Sequence, residues 1–131
     1  MSKKPEKQVV LEILQWGFFN KMWLHNIESR ATYSEKLKRY NMSGNAPKGY
    51  PDISGIGAYG EPVFIEVKAN GKLSTLKLHQ RLFLVSAIER DAFAVCVDSV
   101  ALLDAIYKHY SRLPTESKKE FLFKNLNSIK Q

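Results

Sequence analysis

The sequence is short of cysteine, of long apolar runs and of negative charge. Its single cysteine, Cys96, has no partner in the chain, so no internal disulfide can staple the fold. Its place in an apolar run reads as a small buried hydrophobe. No apolar stretch approaches the ~18 residues that a membrane-spanning helix needs. No segment joins a basic face to a clean apolar one, which argues against a membrane-surface role. The first residues, MSKKPEKQ, lack the apolar region of a secretory signal, and a cytoplasmic location is expected. Acidic residues number 13 against 20 Lys and Arg, a formal net charge of +7. Such a charge concerns partners rather than fold. It suits nucleic acid or an anionic surface, the plainer alternative being a soluble protein that is merely basic. What is present is enough for one core: 131 residues, 44% of them apolar, read as a single domain over 1–131.

Along the chain, Val9, Val10, Ile13 and Leu14 recur at helical spacing and predict an amphipathic helix from Lys4 to about Phe19. Pro5 suits its first turn, and Gly17 marks its end or a distortion. FFNKMWLHN is expected to include a strand. From Glu28 to Tyr50 the pattern weakens, and the cluster NMSGNAPKGYP marks a basic, flexible loop over about 29–50. The segment from Asp52 to Ala58, the turn at Tyr59-Gly60-Glu61-Pro62 and the run PVFIEVKA predict a β-hairpin. A helix follows over Ser74–Arg90, then a buried strand at AFAVCV. Ser99 caps the next helix. A last helix spans about 115–128, where Ser117 and Glu120 have capping-box spacing. The order describes one α/β domain with a mixed sheet.

The chemistry concentrates in the hairpin and the helix after it. Glu66 and Lys68 lie two apart in a strand, so both point to one face, with Phe64, while Val63, Ile65 and Val67 point to the other. Alone, the pair reads equally well as an exposed salt bridge. A hairpin closing near Gly60 returns Asp52 towards Glu66, and two such carboxylates suit a hard divalent cation that keeps much of its water. Lys68 is then a point charge able to orient a water or meet a phosphate. Gln80 shares a helix stripe with Phe83, Leu84 and Ala87, where a polar amide needs a partner. Either it meets the site or it sits at a helix end near solvent. Glu6, beside Val9, Val10 and Ile13, is either a ligand or a favourable acidic residue in a first helical turn.

GYPDISGIG followed by FIEVKANGKLSTLKLHQ resembles the PD-(D/E)xK nuclease superfamily, and within it the VRR-NUC group, especially its short stand-alone members in phages and bacteria. The residues that carry the likeness are Gly49, Pro51, Asp52, Glu66, Val67, Lys68, Gly71, Leu73, Ser74 and Gln80. Glu6 matches the acidic residue of the first helix, and Asn26 a polar residue near the following strand. One departure is Glu89-Arg90-Asp91-Ala92, where the family commonly has a glycine. The resemblance implies a restriction-endonuclease-like, three-layer α/β/α core with a central mixed sheet. It also implies Mg²⁺ or Mn²⁺, and hydrolysis of phosphodiester bonds in DNA by homodimers that select branched structures such as Holliday junctions. On that basis Asp52, Glu66, Glu6 and the Val67 carbonyl are candidate metal ligands. Lys68 and Gln80 join Asp52, Glu66 and Glu6 as candidate catalytic residues.

Lys36, Lys38, Arg39, Lys48, Lys72, Ser74, Lys77 and Arg81 flank this centre and are candidate DNA contacts. Trp16, Phe18, Phe19, Trp23 and Tyr107 read as core or as a dimer surface. The competing function is a non-catalytic nucleic-acid-binding module, or a nuclease subunit active only with a partner.

Overall fold

A computed structural model describes residues 3–27, 31–34, 39–42 and 48–130. Helix α1 (Glu6–Phe19) buries Val9, Val10, Ile13 and Trp16 on one side. Pro5 precedes it in an extended conformation, so the helix starts later than the periodicity predicts. Gly17 does not end it. A Cβ there would lie 2.5 Å from Leu24 Cδ1, so the glycine lets the next strand approach the helix closely. That strand is β1 (Trp23–Asn26).

Strands β2 (Ala31–Ser34) and β3 (Arg39–Met42) form a separate antiparallel ladder within the stretch expected to be loop. ATYS and RYNM lack the apolar alternation by which a strand is recognised in sequence. The expected hairpin is formed by β4 (Ile53–Ile56) and β5 (Pro62–Val67), with Gly60 at φ 88° in its turn. Strand β6 (Phe93–Val97) runs parallel to β5 and is buried throughout, as its unbroken apolar sequence requires. The main sheet has the order β1-β4-β5-β6 and is mixed.

Leu73–Thr75 forms a 3-10 turn, and helix α2 begins only at Leu78 and runs to Glu89. The delay has a cause. Leu76 is 1% exposed and takes an extended ψ of 121°, so the chain breaks helical geometry to put this side chain into the core. Helix α3 (Val100–Arg112) starts at Ser99, whose Oγ accepts the Leu102 amide at 3.1 Å, the cap the sequence predicts. Helix α4 (Thr115–Asn127) does not use the expected capping box. The chain enters it at Pro114, which places Ser117 inside the first turn, and Glu120 pairs with Lys124 at 3.1 Å.

Alternation along β5 divides the core. Val63, Ile65 and Val67 share a face with Phe93, whose ring meets Tyr107 and Tyr110 of α3 at 5.0 and 4.9 Å. Phe64 faces the other way, onto Phe83 of α2 at 5.4 Å. Helices thus flank a central four-stranded sheet in a generic α/β/α arrangement. Among the described residues no helix is long and apolar enough to cross a membrane.

Candidate metal centre

The loop before β4 is locked on both sides. Gly49 has φ +85°, and a Cβ there would meet the His79 carbonyl oxygen at 2.4 Å. Only glycine lets this loop lie against the start of α2. Tyr50 packs edge-on against Phe64 and Phe83, with centroids at 6.0 and 5.1 Å, and its hydroxyl donates to Ser54 Oγ at 3.0 Å. Pro51 is buried. Asp52 follows at the mouth of β4, where its carbonyl accepts the Ile27 amide at 2.7 Å.

The β4–β5 register pairs Ile53 with Ile65, and one step further places Asp52 opposite Glu66. Asp52 Oδ2 accepts the Val67 amide at 2.8 Å. Its carboxylate is therefore held against β5 by a backbone donor rather than left to rotate in solvent. Glu66 is 3% exposed. Burial, and then repulsion from Asp52, push its carboxyl up to about 8, with Lys68 opposing the shift. Lys68 Nζ lies 3.4 Å from Glu66 Oε2 and donates to Gln80 Oε1 at 3.0 Å. The same Gln80 oxygen accepts the Lys77 amide at 2.9 Å, satisfying one of the unpaired donors at the start of α2.

The Lys68 and Glu66 side chains are 12% and 4% exposed, so the pair is no solvent-facing salt bridge. Gln80 lies in the first turn of α2, and its side-chain oxygen serves both the helix start and Lys68. Cys96 lies beside Glu66 in the β5–β6 register. Burial and then the Glu66 charge push its thiol up to about 12, away from the thiolate form that a nucleophile needs.

The donor set fits a hard cation better than a soft one. Two carboxylates of unequal burial face each other, and a divalent ion taking the place of the Glu66 proton would relieve their mutual repulsion. Among the described residues no group of three His, Cys, Asp or Glu side chains is placed to hold a metal, so Glu6 does not join Asp52 and Glu66 in a cluster. Glu6 stands exposed in the first turn of α1. That end of α1 is nonetheless tied to the turn after β5. Lys4 N donates to Asn70 Oδ1 at 2.8 Å, and Asn70 N donates back to Lys4 O at 3.1 Å. Asn26 ends β1 opposite Ile53, one residue from Asp52.

Of the candidate DNA contacts, Lys48, Lys72, Ser74 and Lys77 are exposed. Arg81 is otherwise occupied: its guanidinium donates to the carbonyls of Leu126 and Ile129 at 3.0 and 2.9 Å, fastening α2 to the end of α4. Lys36, Lys38 and the side chain of Arg39 lie outside the described residues. The aromatic residues divide. Trp16 and Tyr107 are core, at 9% and 6% exposure, whereas Phe18, Phe19 and Trp23 are 78%, 80% and 75% exposed.

Sequence reading passed over Tyr50 and Asn70. The signal for Tyr50 was the placement of Phe64 and Phe83 on the same side as Glu66 and Gln80, which leaves an aromatic pocket beside Asp52. Asn70 carried none beyond its turn propensity. Comparison of the chain with protein-family models, with curated proteins and with solved structures finds no match.

Proposed function

We propose that this protein is a divalent-metal-dependent DNA endonuclease of the PD-(D/E)xK type, similar to the stand-alone VRR-NUC nucleases and selective for branched DNA. The observation that carries the reading is the cross-strand pair Asp52–Glu66 with Lys68 fixed beside it by Gln80. Paired carboxylates next to a half-buried, hydrogen-bonded ammonium suit phosphodiester hydrolysis: a cation site and a separate positive charge at the reacting phosphate.

Asp52 and Glu66 would hold Mg²⁺ or Mn²⁺, with the Val67 carbonyl in reach of the same end of β5. When bound, the ion supplies Lewis-acid polarisation of the phosphate and an easier deprotonation of water. Lys68 orients the attacking water or stabilises the negative charge that grows on the phosphate. Gln80 is a positioning residue, acting through Lys68. Lys48, Lys72 and Lys77 neutralise flanking phosphates. Exposed Leu11, Phe18 and Trp23 form an apolar surface suited to a homodimer, which would present two centres to a branched substrate.

The test is cleavage in Mg²⁺ or Mn²⁺ of a four-way junction, a flap, single strands and plain duplex. Paired, symmetric cuts in the junction that vanish in Asp52→Asn support the reading. Binding without cleavage under any ion favours a non-catalytic module, and activity that emerges only in a cell extract favours a partner-dependent subunit.

A further inference from the structure

At the far end of β5 from Glu66, by the hairpin turn, lies a cleft of about 550 Å³, lined among others by Phe19, Lys21, Tyr59, Tyr107, Lys108 and Arg112. Four strand steps from Glu66 to Pro62, about 13 Å, and the turn beyond separate it from the carboxylate pair. Its floor is rigid. The Tyr107 hydroxyl donates to Glu61 Oε2 at 2.9 Å and accepts the Ala58 amide at 3.3 Å. Glu61 Oε1 in turn accepts the Tyr59 amide at 3.1 Å, which braces the turn carrying Tyr59.

Two features of this cleft point outward. Tyr59, on a braced turn, and Phe19, at the end of a helix with only an edge-on contact to Phe18 at 5.9 Å, each leave 80% of their surface in solvent. Three cations also converge there. Lys108 is paired with Asp104 at 2.8 Å, but among the described residues neither Lys21 nor Arg112 has an ion-pair partner. The helix dipole accounts for a cation at the end of α3. It does not account for two flat apolar faces beside it. Flat rings for stacking, with cations between them, are complementary to a polymer of planar bases and phosphates.

We infer that this cleft binds a short segment of unpaired nucleic-acid strand, with bases stacked on Phe19 and Tyr59 and phosphates met by Lys21, Lys108 and Arg112. The choice of polymer rests on the nuclease reading; the charge and the aromatic faces are independent of it. A contact beyond the far end of β5 from the cut gives the enzyme a feature of branched DNA that plain duplex lacks: an unpaired arm or strand held away from the scissile phosphate.

The test is fluorescence anisotropy with a labelled oligothymidylate and with a fully paired duplex of equal length, in EDTA so that nothing is cut. Phe19→Ala/Tyr59→Ala is expected to weaken oligothymidylate binding tenfold or more and to leave the duplex within twofold. Lys21→Gln/Arg112→Gln is expected to lower the log–log salt slope for the oligothymidylate by about 1.4. These side chains are exposed, so thermal midpoints stay unchanged and a folding defect is visible if present. Oligothymidylate affinity within twofold of wild type in both variants, or equal losses for strand and duplex, overturns the inference. Mg²⁺-dependent cleavage by the wild type is measured alongside. Cleavage with no effect of the cleft variants removes the cleft and keeps the nuclease. A cleft effect with no cleavage keeps the cleft and removes the nuclease.

Discussion

Asp52 stands opposite Glu66 across the β4–β5 pair, and its carboxylate takes the Val67 amide at 2.8 Å. One backbone donor therefore fixes both the direction of Asp52 and the closeness of two like charges. The fold holds them together at a cost in stability, and that cost leads to the first prediction.

Glu66→Gln stabilises the metal-free protein at neutral pH. The carboxyl of Glu66 is raised from 4.5 to about 8 in the fold. A raised acid imposes nothing below pH 4.5, where both states are protonated. Its penalty grows as pH climbs towards about 8 and is complete above that value. The variant should exceed wild type by on the order of 3 kcal/mol at pH 7 in EDTA, with the difference vanishing near pH 4. Urea unfolding at several pH values measures this. A difference independent of pH would place the Glu66 proton elsewhere.

Gln80→Ala frees Lys68 from its 3.0 Å bond. The expected loss in kcat is about 10²-fold, with KM little changed, because the ammonium is needed where charge develops. Lys68→Ala should cost at least as much, and the double variant no more than Lys68→Ala alone. Additive losses in steady-state kinetics would show that Gln80 acts on something other than Lys68.

Gly49→Ala forces a side chain at φ +85° into the His79 carbonyl. A loss of about 2 kcal/mol or more in denaturant unfolding is expected, and cleavage should fall further than stability because Asp52 is three residues away. Full activity in a destabilised variant would show that this loop does not position Asp52.

Arg81 and the exposed lysines should separate cleanly. Arg81→Ala removes two charge-assisted bonds to the end of α4 and should cost about 2 kcal/mol of stability, without altering the salt dependence of DNA affinity. Lys72→Gln/Lys77→Gln should do the reverse, reducing the log–log salt slope on duplex by about 2. A reduced slope in Arg81→Ala would return that residue to the DNA surface.

Much of this was legible because the local and tertiary preferences agree. Alternation in β5 sorted Glu66 and Lys68 from Val63, Ile65 and Val67, and the unbroken apolar run of β6 announced burial on both faces. Ser99 capped where its spacing said. The failures came where packing overruled a local rule. Leu76 was drawn into the core and delayed α2, and although α4 starts at Thr115 as its pattern predicts, Ser117 lies inside the first turn rather than capping it. Arg81 found carbonyls 45 and 48 residues away, which no helical phase reveals. Within the site, the facing carboxylates followed from hairpin register alone. The role of Gly49 did not, because it depends on how closely a loop and a helix approach.

Calorimetric titration of the metal-free protein with Mn²⁺, for wild type, Asp52→Asn and Glu66→Gln, tests the shared cation site most directly. The expected result is saturable binding by the wild type that releases protons at pH 7 and is lost or weakened at least tenfold in both variants, although Glu66→Gln is the more stable protein. Equal Mn²⁺ affinity in all three would contradict a metal centre built on Asp52 and Glu66.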